Sequence, residues 1–500
     1  MNQLTYDVIV VGASNAGGMA AAAAAEKGAK VLVIDKMKSA GYLYRYTIAS
    51  LHSKAQQKAG VAIDQNELVN FLSTFAQGHV DERLLNLWAE HSSEAVDWLD
   101  DQVLKPHGAY MQSTPDAHYE TERNRAFATG NEVTAADGKY WAMGYGNWVI
   151  EKAQSLGVEF AWQTKLEQLV VNNGRVTGVL ARSTATNEQL ALTATKGVIL
   201  CTGGYGTNTA LMQQWNPLGL KTNVYSDGQR DDGSGLVAAL QIGAAKDEEP
   251  ASIVFNRGAV PAGTNTEDFY AVDLTPPDDP GYLWLGSYPM LKVNLKGERF
   301  FNESAPYQYQ PNAAAQQPGY LSAMIWTEAT MTDQALAQYH TLGCSRLGFP
   351  GIFNGDEARA EVQQRVKEGL VKKADSVADL AKQLQIPADS LVATVARYNQ
   401  EVAGGVDQDF GKEPSRLEPV NEAPYYGAII GGRLLATLDG LRVNSRMQVM
   451  NQQGQPIAGL YAAGNCSGGF FWGSYPDHVP GLTASHAVTF GRLAGQAVAD

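Results

Sequence analysis

The sequence predicts an α/β fold, and this prediction rests on three stretches in which an apolar run leads into a glycine-rich turn. They are "VIVVGASNAGG" (8–18), "GVILCTGGYG" (197–206) and "GLYAAGNCSGG" (459–469). A short, uninterrupted apolar run is typical of a parallel strand that helices cover on both faces. Each stretch is therefore predicted to be a buried strand whose following turn lets a ligand approach the backbone closely.

The first stretch opens a βαβ unit. The strand Val8–Val11 is followed by a turn with Gly12 and Gly17, an alanine-rich helix and a second apolar strand, Val31–Ile34, which ends at Asp35. Glycines let the backbone approach a pyrophosphate, the positive end of the helix attracts its charge, and the acid accepts ribose hydroxyls. The residues predicted to contact a dinucleotide here are Gly12, Ser14 (in place of the usual middle glycine), Asn15, Ala16, Gly17, Asp35 and Lys36.

The two later stretches favour FAD over a nicotinamide cofactor. The strand in 197–206 runs into its own glycine turn, and the strand in 459–469 precedes a helix that is predicted to begin near Gly481. Such later elements are typical of FAD enzymes, in which the positive end of the last helix can face the pyrimidine side of the flavin. The further residues predicted to bind FAD are Thr202, Gly203, Gly204, Gly464, Asn465, Gly481, Leu482 and Thr483.

The composition argues against several other classes of protein. The 500 residues carry a formal net charge of -14, and such an acidic surface repels the phosphates of nucleic acids and anionic lipid surfaces. The three cysteines form no CxxC or CxxCH motif, so no iron–sulfur cluster, attached haem or other metal site is predicted. With free thiols, no secretory signal and no apolar run of about 18 residues, the chain is expected in the cytoplasm and not in a membrane.

The order of these motifs resembles the fumarate reductase/3-ketosteroid dehydrogenase family of FAD enzymes. Further matching segments are "GSGLVAALQIGA" (233–244) and "KGERFFNESAPY" (296–307), so the resemblance spans nearly the whole chain. It implies a split Rossmann-like FAD-binding domain, residues 1–250 and 430–500, with an inserted α+β capping domain at 251–429. The charged, helix-patterned segment 356–384 is expected to form a solvent-facing helical layer of this cap.

The flavin loop of this family corresponds to "GYLYRYTIAS" (41–50). Relatives with covalently attached flavin carry a histidine in this loop, and this chain has none there. The resemblance therefore implies that FAD is bound non-covalently.

The resemblance also shows what the chain lacks. In fumarate reductases an arginine after the "RFxNE" motif donates the proton, and counting from Arg299 places Tyr307 at that position. The other anion-handling residues of those enzymes are missing from "YLWLGSYPML" (282–291), "GGRLLATLDGL" (431–441) and "FFWGSYPDHVPGL" (470–482). A dicarboxylate buried without cationic partners is costly, so the sequence argues against fumarate reduction. Arg433 is the one residue that could restore an anion site, and it is expected to be a surface or salt-bridged arginine.

Aromatic residues stand where the charged ones are missing, as in the ketosteroid dehydrogenase branch of the family. The resemblance implies that Tyr307 transfers a proton and that Tyr475 binds a substrate oxygen. Phe470, Phe471 and Trp472 would then line a flat apolar pocket. The candidate catalytic residues are Tyr307, Tyr475 and His478, and the candidate substrate-binding residues are Phe471, Trp472 and Tyr475.

The loop that contains Tyr475 continues with Asp477 and His478, which could tune the tyrosine hydroxyl or deprotonate a phenol. A phenol in place of a guanidinium suits a neutral, conjugated, aromatic substrate. Tyrosine can give a proton to carbon without presenting a permanent charge to an apolar ligand.

These residues lead to one expected function and two alternatives. The first is an FAD-dependent ene-reductase that reduces the C=C bond of a small conjugated aromatic such as a vinylphenol, most like the vinylphenol-reducing bacterial members of the family. The alternatives are a 3-ketosteroid dehydrogenase, and a flavoprotein that carries electrons or is not catalytic. Electrons for the reductase would come from NADH, from free reduced flavin or from a separate reductase.

Overall fold

The computed structural model describes residues 4–40, 47–113, 126–138, 145–226, 230–264, 266, 281–338 and 354–500. Its strands are β1 (Leu4–Val11), β2 (Val31–Ile34), β3 (Thr47–Ala49), β4 (Tyr110–Ser113), β5 (Gly130–Thr134), β6 (Glu159–Ala161), β7 (Thr164–Asn172), β8 (Arg175–Ser183), β9 (Gln189–Leu200), β10 (Asn223–Ser226), β11 (Ala251–Val260), β12 (Leu291–Asn294), β13 (Ser322–Thr327), β14 (Val371–Ala374), β15 (Tyr425–Thr437), β16 (Gln448–Met450), β17 (Pro456–Ala462) and β18 (Gly473–Ser474). Its α-helices are α1 (Asn15–Glu26), α2 (Lys54–Lys58), α3 (Gln65–Phe75), α4 (Glu82–Leu99), α5 (Tyr145–Ser155), α6 (Thr209–Trp215), α7 (Pro217–Thr222), α8 (Ser234–Leu240), α9 (Tyr309–Ala314), α10 (Asp333–Gln338), α11 (Gly355–Lys367), α12 (Val377–Leu384), α13 (Ala388–Gly404) and α14 (Leu482–Ala499).

An eight-stranded sheet brings the three predicted strands side by side, which confirms the α/β fold. β6, β2, β1, β9 and β17 pair in parallel, in that spatial order. β8 and β7 continue the sheet beside β9 as an antiparallel hairpin, and β16 pairs antiparallel with β17. Because the parallel strands run the same way, the loops that follow them meet at one edge, where ligands bind in open α/β sheets.

Helix α1 is rich in alanine because α14 packs against it at close range. A Cβ atom on Gly491 would lie 2.4 Å from the carbonyl oxygen of Ala16, and one on Gly495 would lie 2.1 Å from that of Ala20. Larger side chains on either helix would force the two axes apart. The close packing keeps the first turns of both helices beside the carboxyl edge of the sheet.

A seven-stranded, largely antiparallel sheet forms a second layer, and its long central strand β15 pairs with β10, β11, β13 and β14. A three-stranded antiparallel sheet is formed by β3, β5 and β4. The predicted boundaries of the capping domain fall directly before β11 and within β15, and the division into domains stays a prediction.

The segment 356–384 is not a continuous helical layer. Gly369, with φ +76°, follows α11, and the chain then forms β14 before α12 begins. Val371 is buried and pairs with Ala428 of β15. The charged helical pattern did not reveal this strand, because a four-residue strand is shorter than the window over which helical periodicity is read.

Within the described ranges, no helix has the length and apolar character needed to cross a membrane. The same part of the chain contains no group of three or more His, Cys, Asp or Glu side chains placed to hold a metal ion.

Candidate active site

A cleft lies at the carboxyl ends of β1, β2, β9 and β17, between the first turns of α1 and α14. Most of the residues predicted to bind FAD line it. They are Gly12, Ser14, Asn15, Ala16, Asp35, Lys36, Thr202, Gly203, Gly464, Asn465 and Thr483. Segments separated by more than 400 positions thus meet at one edge of one sheet, as the glycine turns after the three strands predicted.

The turn after β1 is closed by steric contact and by one hydroxyl. Gly12 has φ +101°, and a Cβ there would lie 2.4 Å from the carbonyl oxygen of Cys201. The Ser14 hydroxyl caps α1 by accepting the Gly17 N–H (3.2 Å) and donates to the carbonyl oxygen of Cys201 (3.0 Å). Ser14 therefore ties the turn to the end of β9, a contact that a glycine at this position could not make.

The acid at the end of β2 supports this turn from the other side. The Asp35 carboxylate accepts the N–H of Ala13 (2.7 Å) and the N–H of Met37 (2.8 Å). Lys36 donates to the carbonyl oxygen of Arg230 (2.6 Å) and forms an ion pair with Asp232 (2.9 Å). Asp35 is thus positioned by main-chain N–H groups of the βαβ unit, and Lys36 by a main-chain carbonyl and a carboxylate of the segment 230–232.

Four predicted FAD residues lie behind the lining of the cleft and shape it. A Cβ on Gly17 would lie 1.8 Å from the Gly12 oxygen, and one on Gly204 would lie 2.0 Å from the Thr437 hydroxyl. Gly481, with φ +82°, precedes the first residue of α14, and Leu482 is fully buried. Further residues line the cleft that the sequence did not indicate, because no glycine motif marks them: Lys165, Leu166, Arg230, Asp231, Ile253, Leu435 and Ala436.

The chemistry of the cleft fits a flavin dinucleotide. It joins the starts of two helices, whose free N–H groups attract phosphate, with an acid after the second strand. The backbone at Gly203 is so close to other groups that a Cβ there would lie 2.3 Å from Oδ1 of Asp231. Burial raises the pKa of this aspartate to about 7. The cleft therefore lets polar groups of a ligand lie directly against the backbone. Side chains at its glycine positions would collide with neighbouring atoms.

Part of the predicted flavin loop, residues 41–46, lies outside the described residues. The remainder enters β3, where the N–H of Ala49 donates to the carbonyl oxygen of Gly481 (3.0 Å). The end of this loop thus contacts the residue at which α14 starts.

A row of aromatic rings contains both candidate tyrosines. Phe255 lies 4.8 Å from Tyr307, Tyr307 lies 6.5 Å from Tyr475 with an angle of 15° between the ring planes, and Tyr475 lies 6.1 Å from Phe471, all between ring centroids. Phe471 and both tyrosines are buried. The structure thus brings Tyr307 together with Phe471 and Tyr475, which follow it by 164 and 168 positions in the chain.

The hydroxyl of Tyr475 is held at the start of α14. It accepts the N–H of Leu482 (2.9 Å) and donates to the carbonyl oxygen of Val479 (3.2 Å). Burial raises the pKa of Tyr475, so the hydroxyl keeps its proton at neutral pH. Leu482 thus acts through its main-chain N–H, a role that its side chain could not have indicated.

Asp477 is buried beside these tyrosines, and the side chain of His478 next to it is 12% exposed. The N–H of Tyr307 donates to Oδ2 of Asp477 (3.4 Å), and Oδ1 lies 3.5 Å from Nδ1 of His478. Burial raises the pKa of Asp477 to about 7 and lowers that of His478 to about 4. The His478 ring lies 5.0 Å from that of Phe71 and 5.6 Å from that of Phe75. His478 is therefore neutral at pH 7.

Trp472 points away from the two tyrosines. Its indole N–H donates to Glu249, and its ring stacks on His79 with 4.5 Å between centroids. Phe470, in contrast, packs in the core against Trp88 and Phe490. Of the "FFW" run, Phe471 is thus the residue whose ring contacts Tyr475.

The "RFxNE" motif is the centre of a buried ion network. Arg299 bonds to Glu303 (2.9 Å), Asp407 (2.9 Å) and Glu401 (3.2 Å), and Glu303 lies 3.7 Å from Lys412. All of these side chains are less than a tenth exposed. The motif therefore anchors the chain segment that leads to Tyr307, and nothing in the sequence indicated Asp407 as its partner.

Arg433 is buried and is not a surface residue. Only 6% of it is exposed, and its guanidinium lies 4.7 Å from the ring centroid of Tyr282. A second buried arginine, Arg257, donates to the Tyr282 hydroxyl (3.0 Å) and lies 4.5 Å from the ring centroid of Phe255. No sequence motif surrounds Arg257, so the sequence did not indicate it.

Comparison of the sequence with known proteins shows that the chain is similar to flavoproteins. A family model described as "FAD binding domain" matches residues 7–478. The chain is 27% identical to a vinyl phenol reductase of Lactiplantibacillus plantarum, over 99% of this chain and 97% of that protein. It is 29% identical to a 3-oxosteroid 1-dehydrogenase of Mycobacterium tuberculosis, over 69% of this chain and 61% of that protein.

Among solved structures, the 3-ketosteroid delta1-dehydrogenase of Sterolibacterium denitrificans superposes with a TM-score of 0.74, over 99% of this chain and all of that one. The two chains are 21% identical, so this likeness concerns the fold.

Proposed function

The chain belongs to the FAD binding domain family and is an FAD-dependent oxidoreductase that acts on CH–CH groups, and we propose that it reduces the C=C bond of a small conjugated aromatic such as a vinylphenol. The observation that carries the proposal is the aromatic row with two buried tyrosines, Tyr307 and Tyr475, at the start of α14. The similarity to a vinyl phenol reductase over nearly the whole of both chains supports it.

FAD would be held by the cleft residues, with its pyrophosphate at the turn that Gly12 and Ser14 form and its ribose at Asp35. The reduced cofactor supplies the hydride. Electrons would reach it from NADH or from a separate reductase. The protein contributes a dry, closely packed surrounding, since the ring row and the first turn of α14 are buried.

Tyr307 would give the proton to the terminal carbon of the vinyl group. A tyrosine hydroxyl can donate a proton and recover it from solvent. Because it is neutral, an apolar ring can bind beside it without the desolvation of a charge. Protonation leaves the carbon next to the ring electron-poor, which is the state that accepts a hydride. An unassisted styrene double bond is a poor acceptor, so this proton is essential.

Tyr475 would bind the oxygen of the substrate. Its hydroxyl already accepts the N–H of Leu482, which leaves its hydrogen free to turn from the Val479 carbonyl to a substrate oxygen. The bond to Val479 is the longer of the two, 3.2 Å, so little is lost by the exchange. The N–H at the helix start polarises the hydroxyl and strengthens it as a donor.

An anaerobic panel tests the proposal. The purified enzyme is bleached with dithionite and mixed with 4-vinylphenol, p-coumarate or fumarate, and the return of the yellow flavin colour is followed. We expect 4-vinylphenol to restore the colour fastest and fumarate slowest, because the rings of the row are uncharged and Arg257, whose guanidinium stacks on Phe255, already donates to the hydroxyls of Ser287 and Tyr282. Faster reoxidation by fumarate or p-coumarate would contradict the neutral pocket and direct attention to Arg257 and Arg433.

The same panel separates the alternatives. The similarity to a 3-oxosteroid 1-dehydrogenase favours a second candidate, oxidation of a 3-ketosteroid, which would bleach the oxidised enzyme instead of recolouring the reduced one. A flavoprotein that only carries electrons would respond to none of the small molecules.

A further inference from the structure

Asp477 has a carboxyl oxygen without a hydrogen-bond partner in a place where water has almost no access. Its side chain is 3% exposed, and Oδ1 accepts no hydrogen bond. Leaving a buried polar atom unpaired costs free energy, so such an atom in a native protein calls for an explanation. The proposed mechanism gives Asp477 no role.

The surroundings of Asp477 offer no cation to balance it. Within the described part of the chain, no lysine or arginine forms an ion pair with this carboxyl. The nearest basic group is Nδ1 of His478, 3.5 Å from Oδ1, which is itself without a hydrogen bond. The His478 ring is enclosed by Phe71 and Phe75 and is neutral at pH 7, so it does not supply the missing charge.

The carboxyl lies among the tyrosines of the proposed reaction. Oδ2 accepts the main-chain N–H of Tyr307 (3.4 Å), and the N–H of Asp477 donates to the carbonyl oxygen of Tyr475 (3.0 Å). Burial raises the pKa of Tyr475 and of Tyr309, and the charge of Asp477 raises both further. The Asp477 carboxyl therefore lies beside the tyrosines at which the proposed substrate would bind.

We propose that Oδ1 of Asp477 accepts the hydroxyl hydrogen of a phenolic substrate, so that the enzyme selects phenols over ethers and hydrocarbons of the same shape. The inference rests on the proposed reduction of a conjugated aromatic, and it adds the group that recognises the oxygen substituent. A phenol O–H is the donor that would satisfy the unpaired oxygen, and a hydrogen bond to a carboxylate is among the stronger ones in proteins. A site built to bind a hydroxyl rejects the analogue that lacks it.

Binding of unreactive ligands tests this without turnover. Calorimetry with the oxidised, FAD-loaded enzyme measures the affinity for 4-ethylphenol and for 4-ethylanisole, which has a methyl group in place of the hydroxyl hydrogen. We expect wild type to prefer 4-ethylphenol by tenfold or more. In Asp477→Asn a weaker, neutral acceptor remains and the ratio falls, and in Asp477→Leu the ratio falls to within about twofold.

The affinity for 4-ethylanisole serves as the internal control. It stays within about threefold of wild type in both variants if they lose only the acceptor, whereas a distorted pocket would bind both ligands poorly. Asp247→Asn is a matched control, because Asp247 is also a largely buried carboxyl with a raised pKa, its side chain 15% exposed, but it accepts the N–H of Gly469 (2.8 Å) and lies outside the row. Its ligand ratio is expected to equal that of wild type.

The outcomes separate the two proposals. If wild type reduces 4-vinylphenol but Asp477→Leu keeps the tenfold preference, Asp477 is not the acceptor and the proposed function stands. A wild-type enzyme that binds the two ligands equally also overturns the inference, since a protonated carboxyl that only donates would hold either oxygen. If wild type binds neither ligand and reduces no vinylphenol, both proposals fail.

Discussion

Tyr307 reaches its place in the aromatic row through packing and through its main chain. Its ring contacts Phe255, its plane is nearly parallel to that of Tyr475, and its N–H donates to Asp477. Only 4% of the residue is exposed. A ring held from several sides loses little order when its hydroxyl is removed, which makes this position suitable for a conservative substitution.

Tyr307→Phe is expected to lower the substrate-dependent reoxidation of FAD by about 10²–10⁴, the usual contribution of a positioned general acid. FAD content and thermal stability should change little, and reduction of FAD by its electron donor should persist, because that step needs no proton from this tyrosine. Stopped-flow measurement of the two half-reactions checks this.

Tyr309→Phe is the matched control, two positions along the chain and 41% exposed. It should reoxidise at the wild-type rate. If instead Tyr309→Phe is slow and Tyr307→Phe is fast, the proton donor is Tyr309 and the position derived from the "RFxNE" motif is wrong.

At the scale of elements, the βαβ turn depends on a backbone contact that no side chain can share. Gly12→Ala would place a Cβ 2.4 Å from the carbonyl oxygen of Cys201, in a residue with φ +101°. The turn must open, so we expect FAD to be lost on purification, visible as a colourless protein. Gly28→Ala is the control: Gly28 also has a positive φ, +83°, in the same βαβ unit, but a Cβ there meets nothing within 4 Å. It should remain yellow.

The segment from the motif to α9 depends on the buried charges around Arg299. Arg299→Met would leave Glu303 and Asp407 buried without their cation, which costs roughly 3–5 kcal/mol for a buried pair. Chemical denaturation should therefore show a large loss of stability. Arg397→Met, which breaks the exposed pair with Asp409, should have little effect, because exposed ion pairs contribute little. Equal losses in the two variants would contradict the structural role of the motif.

Across the molecule, the burial of several acids makes part of its stability depend on pH. Among the residues that the structure describes, burial raises the pKa of five carboxyls to about 6 or 7, namely Asp231, Asp247, Glu361, Glu418 and Asp477. In an unfolded chain such groups titrate near 4. Between these values each of the five groups binds more protons in the folded state than in the unfolded state, so their contribution to stability falls as the pH rises from about 4 to 7.

Glu418 is the sharpest test, because it is fully buried and both of its oxygens lack a hydrogen bond. A pKa raised from 4.5 to about 7 corresponds to roughly 3 kcal/mol of stability lost over that interval. Between pH 5 and about 8, the melting temperature of Glu418→Gln should therefore fall less than that of wild type. Glu422→Gln, which changes an exposed carboxyl nearby, should follow wild type. Parallel curves for wild type and Glu418→Gln would show that Glu418 does not titrate in this range.

The sequence alone was sufficient for what depends on neighbouring residues. Val8–Val11 and Val31–Ile34 lie in β1 and β2 as predicted, and α14 begins at the residue after Gly481. Strand and turn signals are short-range: apolar runs, left-handed glycines and helix starts are set by a few consecutive residues. The motifs that resemble the family are equally local, and the family was identified from them.

The tertiary structure decided what depends on contacts between distant segments. Arg299 meets Asp407 across 108 positions, Trp472 meets Glu249 across 223, and the hydroxyl of Tyr475 is held by the start of a helix. Each contact follows from the order and register of strands that are far apart in the chain, and no local pattern carries that information. The unpaired oxygen of Asp477 belongs to the same class, because an absent partner can be recognised only when every neighbouring element is in place.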